Sequence, residues 1–312
     1  MENQLKKSEI LFLYETSYNI PNGDPFTGEQ RYDEETKKIL VSDVRMKRYI
    51  RTYFEEKGLP IYVSEKTGAG KTDSKNVLKW IAENRNPNNL IDIGELLKGQ
   101  IDVRLFGGIS TLGDDAKSIK VNNKPMTNGH TQFTGPVQFA LLNSSLNEVN
   151  LRMHQNTTHF TSKSDNTQGS IGTTTIVPYS LIQIHGWLNP KVAETTGMTP
   201  DDLKLMFEGL WYGTSGDGSS HSRSKVGQNS VLLLEIVYAQ NNQKIYGVDR
   251  LIQLKSDKKG EELRSMDDYK FDFSKLIDVA NSYKVEKIKF YTEIEYIKSE
   301  FSGNKKFEEI TL

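Results

Sequence analysis

Glu9–Tyr18 reads EILFLYETSY and runs directly into NIPNGDPFTG, Asn19–Gly28. The first ten residues are rich in aromatic and apolar side chains, the composition of a strand. The next ten hold two Pro, two Gly and two Asn, which set turns rather than prolong strands. Ser42 then opens a helix that the spacing predicts through about Lys57. Its hydroxyl suits an orphan amide of the first turn. Val44, Ile50 and Phe54 recur at helical spacing, Met46 and Tyr49 flank that stripe, and Gly58 closes the helix.

Further along, residues 60–130 read as irregular, with a short strand near Ile61–Ser64, a helix near Ser74–Asn84 and a strand over Ile101–Ile109 (IDVRLFGGI). Phe133–Leu142 is strand-like. Residues 150–175 hold few core-forming side chains and many hydroxyls and amides, so they read as an exposed hairpin or arm. Ile176–Leu188 is apolar and β-rich. Thr199-Pro200-Asp201 opens a helix through about Trp211, with Pro at the first helical position and acids in the first turn. Gly213–Asn229 is a Gly/Ser loop, Ser230–Gln240 a strand, and residues 255–312 carry a charge-rich helix and an alternating strand, Lys284–Tyr296. The order is close to βαββαβ with insertions. The expected fold is therefore α+β, a ferredoxin-like, RNA-recognition-type sandwich in a single domain, 1–312.

The 312 residues contain no cysteine, which removes disulfide scaffolds, thiolate metal sites and cysteine nucleophiles. No apolar run approaches the roughly 18 residues needed to cross a bilayer. The opening MENQLKKSEI lacks the apolar core of a signal peptide, so a soluble, cytoplasmic chain with no membrane partner is expected. Forty basic against 41 acidic side chains argue against a protein that is basic all over. Local sorting of charge is what that average can hide.

Gly68–Thr72, GAGKT, resembles a phosphate loop, but the motif requires Gly at 65 and this chain has Glu65. A flexible, solvated turn is the simpler reading, with nucleotide binding as the alternative. The five His (130, 154, 159, 185 and 221) show no i,i+4 pair, and no Gly-x-Ser-x-Gly elbow occurs. No metal site and no cofactor are expected. Asp24, Asp33 and Asp43 cluster near the first loop and helix; turn, solvation and helix-dipole roles compete with cation binding, and Asp33 stays open. Charge sorting is more informative. Lys37 to Arg51 holds six basic residues against Asp43 alone, with Arg45 and Arg48 on one helix face and Lys47 and Arg51 on another. Ser222-Arg223-Ser224-Lys225 is a second basic, hydroxyl-rich cluster. Both suit a phosphate backbone.

Asn19–Pro25 (NIPNGDP), Arg31-Tyr32-Asp33 and Val41–Arg51 (VSDVRMKRYIR) resemble the opening of the CRISPR-associated Cascade backbone subunits, close to the type I-B branch. Asp102–Gly108 (DVRLFGG), Gly135–Phe139 (GPVQF), Val177–Pro190 (VPYSLIQIHGWLNP), Leu210-Trp211 and Ser222–Gln228 (SRSKVGQ) follow in the family's order, so the resemblance spans roughly residues 9–240. It implies a palm with a finger-like insertion at 60–130, a thumb hairpin at 150–175 and residues 255–312 completing or flanking the palm. It also implies copies that polymerise along the spacer of a guide RNA (crRNA), present it to a target DNA strand and dock other Cascade subunits. A different subunit recruits the nuclease, so this chain is not expected to be an enzyme.

Carried over residue by residue, the resemblance makes Asn19, Asn22, Arg45, Lys47, Arg48 and Arg51 guide contacts. Arg104, Phe106 and Gly107 would lie on the second strand near the palm surface. Gln138, Asn143 and Ser144 sit where the family often shows a Ser-Arg-Ser-like run, here without Arg. Ser222, Arg223, Ser224 and Lys225 are the better phosphate candidates, and Met153 and Phe160 are the apolar residues of the thumb. In related RNA-targeting filaments a loop Asp near the place of Asp33 is tied to RNA cleavage, which supplies the alternative of a metal-dependent RNA-cleaving subunit.

Overall fold

The computed structural model describes residues 4–64, 73–157, 171–215 and 225–312. At its centre is a mixed, seven-stranded sheet. The first strand, Ser8–Asn19, pairs antiparallel with Ile171–Leu188 along one edge and with Gln228–Tyr238 along the other. Beyond Ile171–Leu188, two strands share its far edge: Arg152–Thr157 opposite 171–176, and Val137–Phe139 opposite 186–188. Beyond Gln228–Tyr238 come Val285–Tyr291, antiparallel, and Phe307–Glu309, parallel to it.

Alternation along the first strand sorts its side chains to two faces. Ile10, Phe12 and Tyr14 join a core under the helices Asp43–Glu56 and Pro200–Ser215. Leu11 and Leu13 join a second core on the opposite face, covered by the segment from Val248 to Phe301. A third core lies within the 60–130 stretch, where Leu78, Ile81, Leu97, Val103 and Met126 are buried together.

The two helices of the first face touch almost backbone to backbone. A Cβ added at Gly209 would lie 3.1 Å from the Ile50 side chain, and one added at Gly213 only 2.7 Å from the Tyr49 carbonyl oxygen. Glycine inside a helix costs about 1 kcal/mol relative to alanine. Here that cost admits a close approach that sets the spacing between the two helices.

Several expectations change. Ser42 caps the first helix, but its hydroxyl does not bond a first-turn amide; it donates to Asn22 Oδ1. Val44 is 64% exposed, and the buried stripe is Met46, Tyr49, Ile50, Tyr53 and Phe54. Ile61–Ser64 is not a strand. Ile101–Phe106 is a helix, and only Gly107–Thr111 is extended, paired with His130–Thr134. Arg104 and Phe106 are therefore helical, and Gly107 opens a strand outside the central sheet. A helix at Pro190–Thr196 was not foreseen, and Pro200–Ser215 runs into the expected loop. The last expected strand stops at Tyr291, where Thr292 donates to the Val231 carbonyl (2.7 Å) and the chain turns into the helix Glu295–Phe301.

Gly213→Ala raises helix propensity, yet it should lower stability by about 1–3 kcal/mol because its Cβ overlaps the Tyr49 carbonyl. Urea unfolding checks this; a gain in stability would show that the helices do not need the close approach.

Candidate nucleic-acid interface

The turn-rich loop after the first strand is stapled to the start of the first helix. The Ser42 amide and hydroxyl both donate to Asn22 Oδ1 (2.7 and 2.9 Å), and the Asn22 amide donates to Gln30 Oε1 (2.9 Å). Asn19 accepts from the Thr16 hydroxyl and donates through Nδ2 to the Val226 carbonyl (2.9 Å). Both asparagine side chains are buried. They shape the loop from within and link it to residue 226.

The basic helix face divides into two. Lys47 pairs with Asp43 (3.0 Å), and its ammonium lies 5.7 Å from the Phe106 ring centre. Arg51 lies 5.6 Å over the same ring and donates to Asp102 Oδ2 (2.9 Å). Asp102 is fully buried and also accepts from the Tyr62 and Val63 amides (2.7 and 3.1 Å). Arg104 grips Asp202 with two bonds, 2.8 and 2.6 Å. These two arginines tie the 60–130 stretch to the helices Asp43–Glu56 and Pro200–Ser215 of the first core. Gly107, at φ +80°, has the Phe133 carbonyl oxygen 2.2 Å from where a Cβ would stand, so only glycine fits there.

Arg45 is different. Its guanidinium lies 5.3 Å over the Tyr49 ring, and among the described residues it has no carboxylate partner. Lys225 stands near it, only 8% exposed, its ammonium donating to the Ile20 carbonyl and its own carbonyl accepting from Gln228 Nε2 (2.7 Å). It too has no acidic partner among the described residues. Burial, and then the Arg45 charge, pull the Lys225 amine down to about 8. The nearby Tyr14 hydroxyl is buried with no hydrogen-bond partner, and burial, then Tyr49, push it up. Two adjoining cations without a counter-charge, one of them desolvated, make a site for an anion.

The other candidates lie elsewhere. Arg48 is half-buried on the same helix. Gln138 is exposed and donates to the Gly135 carbonyl (2.9 Å). Asn143 is buried, bonded to the Val41 and Ala140 carbonyls; with Ser144 it lines a groove of about 600 Å³ beside Lys38, Gln183 and Arg250. Met153 is 78% exposed on the Arg152–Thr157 strand. Phe160, Ser222, Arg223, Ser224 and the Gly68–Thr72 turn lie outside the described residues. Asp33 accepts from the Thr36 hydroxyl (2.7 Å) and from two amides of its own turn; the Thr36 bond holds its carboxyl below the usual range. Among the described residues no three His, Asp or Glu gather as a metal set, and no helix is long and apolar enough to cross a membrane. Tyr49 and Gln228, whose side chains bond each other (2.9 Å) beneath Arg45 and Lys225, were missed as site residues. Gln228 ends the SRSKVGQ run and was visible only as part of that motif.

The model of the family described as CRISPR-associated protein Cas7 matches residues 6–274. The chain belongs to the Cas7 family. It is 30% identical over 290 residues to a CRISPR-associated protein Cas7 of Haloferax volcanii, covering 88% of this chain and 82% of that protein. A solved structure described as a CRISPR RNA-guided surveillance complex, pre-nicking, holds a chain of similar fold, with TM-score 0.51 and 12% identity over 98% of this chain and 96% of that one. This Cas7-family fold thus places Arg45 and Lys225 together near the end of the first strand.

Arg51→Ala should destabilise the fold by about 3 kcal/mol in urea unfolding, because it leaves Asp102 buried without its cation; an unchanged midpoint would refute that role. Lys225 has a folded value of about 8, below its ordinary 10.5, so the unfolded chain binds more protons between these values. Its contribution to stability is lowest below pH 8 and rises across that window. NMR titration of the Lys225 amine should give a midpoint near 8 that moves up when an RNA oligonucleotide is added; a midpoint near 10.5 without RNA would contradict the buried, unpaired placement.

Proposed function

We propose that this chain is a non-catalytic backbone subunit of a type I CRISPR effector complex (Cascade), of the type I-B branch, working in antiviral defence in the cytoplasm. It polymerises with copies of itself along the crRNA, holds the spacer for pairing with a target DNA strand, and docks other Cascade subunits. In this reading the central strand–helix–strand–strand–helix–strand order is a ferredoxin-like, RNA-recognition-type palm. Residues 60–130 are the finger, 150–175 the thumb, and 255–312 flank the palm.

The observation that carries the reading is the adjoining pair Arg45 and Lys225, two cations with no acidic partner among the described residues. Holding a guide whatever its sequence calls for contacts to phosphate and 2′-hydroxyl groups rather than to base edges. A near-neutral total charge also lets copies stack without strong mutual repulsion. The engagement of the Asp33 carboxylate within its own turn supports a structural part for that residue.

Co-expressed with its guide RNA and sister subunits, the chain should purify with RNA of defined length. Elution as a nucleic-acid-free monomer would overturn the reading, and Mg²⁺-dependent cleavage of guide-complementary RNA, lost in Asp33→Ala, would overturn its non-catalytic part. Arg45→Ala should weaken RNA binding equally across spacer sequences and flatten its salt dependence by about one unit of slope. A loss confined to some sequences would contradict a backbone contact.

A further inference from the structure

The first strand ends on a conformation that its residue type disfavours. Tyr18 has φ +49°, in the left-handed region where a bulky side chain crowds its own backbone. Glycine or asparagine would sit there at lower cost. Burial does not repay the strain, for Tyr18 is 58% exposed. Its ring and hydroxyl have no hydrogen-bond or ring partner among the described residues.

Bonds on both sides hold the strained residue in place. The Ser17 amide donates to the Gly227 carbonyl (3.2 Å), Asn19 Nδ2 to the Val226 carbonyl (2.9 Å), and the Lys225 ammonium to the Ile20 carbonyl. Tyr18 is thereby fixed against the segment that carries Lys225, and Gln228 links Lys225 to Tyr49, the ring that lies under Arg45. Val226, itself 61% exposed, adds an apolar side chain to that segment. An exposed aromatic in a strained backbone, clamped beside two unneutralised cations, has the parts of a single-strand binding platform. The cations hold phosphate, and the ring offers a flat face to a base of any identity.

We propose that the Tyr18 ring stacks on one base of the RNA whose backbone is held at Arg45 and Lys225. This rests on the guide-binding reading and deepens it: each copy then grips its RNA through one base plane as well as through charge. Such stacking is tolerant of sequence, as a filament on an arbitrary spacer requires.

The test uses the full chain, bound to single-stranded RNA oligonucleotides with 2-aminopurine at successive positions and assembled on a guide labelled in the same way. In the unmodified protein the probe is quenched at positions that recur once per copy. Tyr18→Phe keeps that pattern. Tyr18→Leu and Tyr18→Asn lift the quench at those positions and weaken binding about 5- to 150-fold per site, the range of one base–aromatic stack. Tyr18→Asn also relieves the backbone, so its thermal midpoint stays at or above that of the unmodified protein, and its loss of binding is not a loss of fold. An identical quenching pattern in Tyr18→Leu and the unmodified protein, with RNA bound by both, overturns the stacking inference alone. Failure of the unmodified protein to retain RNA overturns the guide-binding reading, and this inference with it.

Discussion

The structure depends on the pairing of Ser8–Asn19 with an antiparallel neighbour on each edge. Because both neighbours run opposite to it, the end of the first strand lies beside the start of Gln228–Tyr238 and beside Val177, six residues into Ile171–Leu188. Asn19 faces Val177 on one side, while Thr16 faces Gln228 on the other. The loop leaving Asn19 and the residues just before Gln228 therefore meet at one end of the first strand, beside Val177 of the Ile171–Leu188 strand. Lys225 reaches Ile20 across 205 positions of sequence for this reason. Its burial follows from topology, and the depressed amine follows from its burial.

The electrostatics of the helix Asp43–Glu56 sort in the same way. Side chains toward the 60–130 stretch meet acids or an aromatic ring, as Arg51 meets Asp102 and Lys47 meets Asp43 and Phe106. Such pairs cost desolvation and gain it back only through complete bonding, which Asp102 has with three donors. Toward the end of the sheet, Arg45 meets Tyr49 and another cation. One helix thus serves assembly of the fold with some of its charges and leaves another unneutralised. The near balance of 40 basic and 41 acidic residues over the chain does not reveal this division.

The strongly patterned elements were legible in the sequence. The first strand, the helix after Ser42 and the helix Ser74–Asn84 are all present where periodicity and turn residues placed them. The strand expected at Ile101–Ile109 failed for a physical reason. Ile101, Val103 and Leu105 alternate as in a half-buried strand, but the six-residue helix there is buried on nearly every side, so alternation carries no information about its conformation. At the candidate site, residue types were legible and burial was not. Asn19 and Asn22 have the chemistry of contact residues, yet their partners are Val226 and Ser42. That Arg45 and Lys225 meet no carboxylate among the described residues depends on which distant segments fold against them, and no local pattern encodes that.

The close approach of Gly209 and Gly213 to the first helix has a consequence for how the fold tolerates change. Where two helices are spaced by interlocking side chains, each substitution at the seam resets their separation. Here Gly213 bears on the Tyr49 carbonyl oxygen, an atom every residue possesses. At Gly213 the gap is gauged by the thickness of the main chain, so that point of the seam does not depend on the identity of residue 49. Gly213 works as a fixed stop in the scaffold, whereas at Gly209 the neighbour is the Ile50 side chain, and substitution there is felt directly.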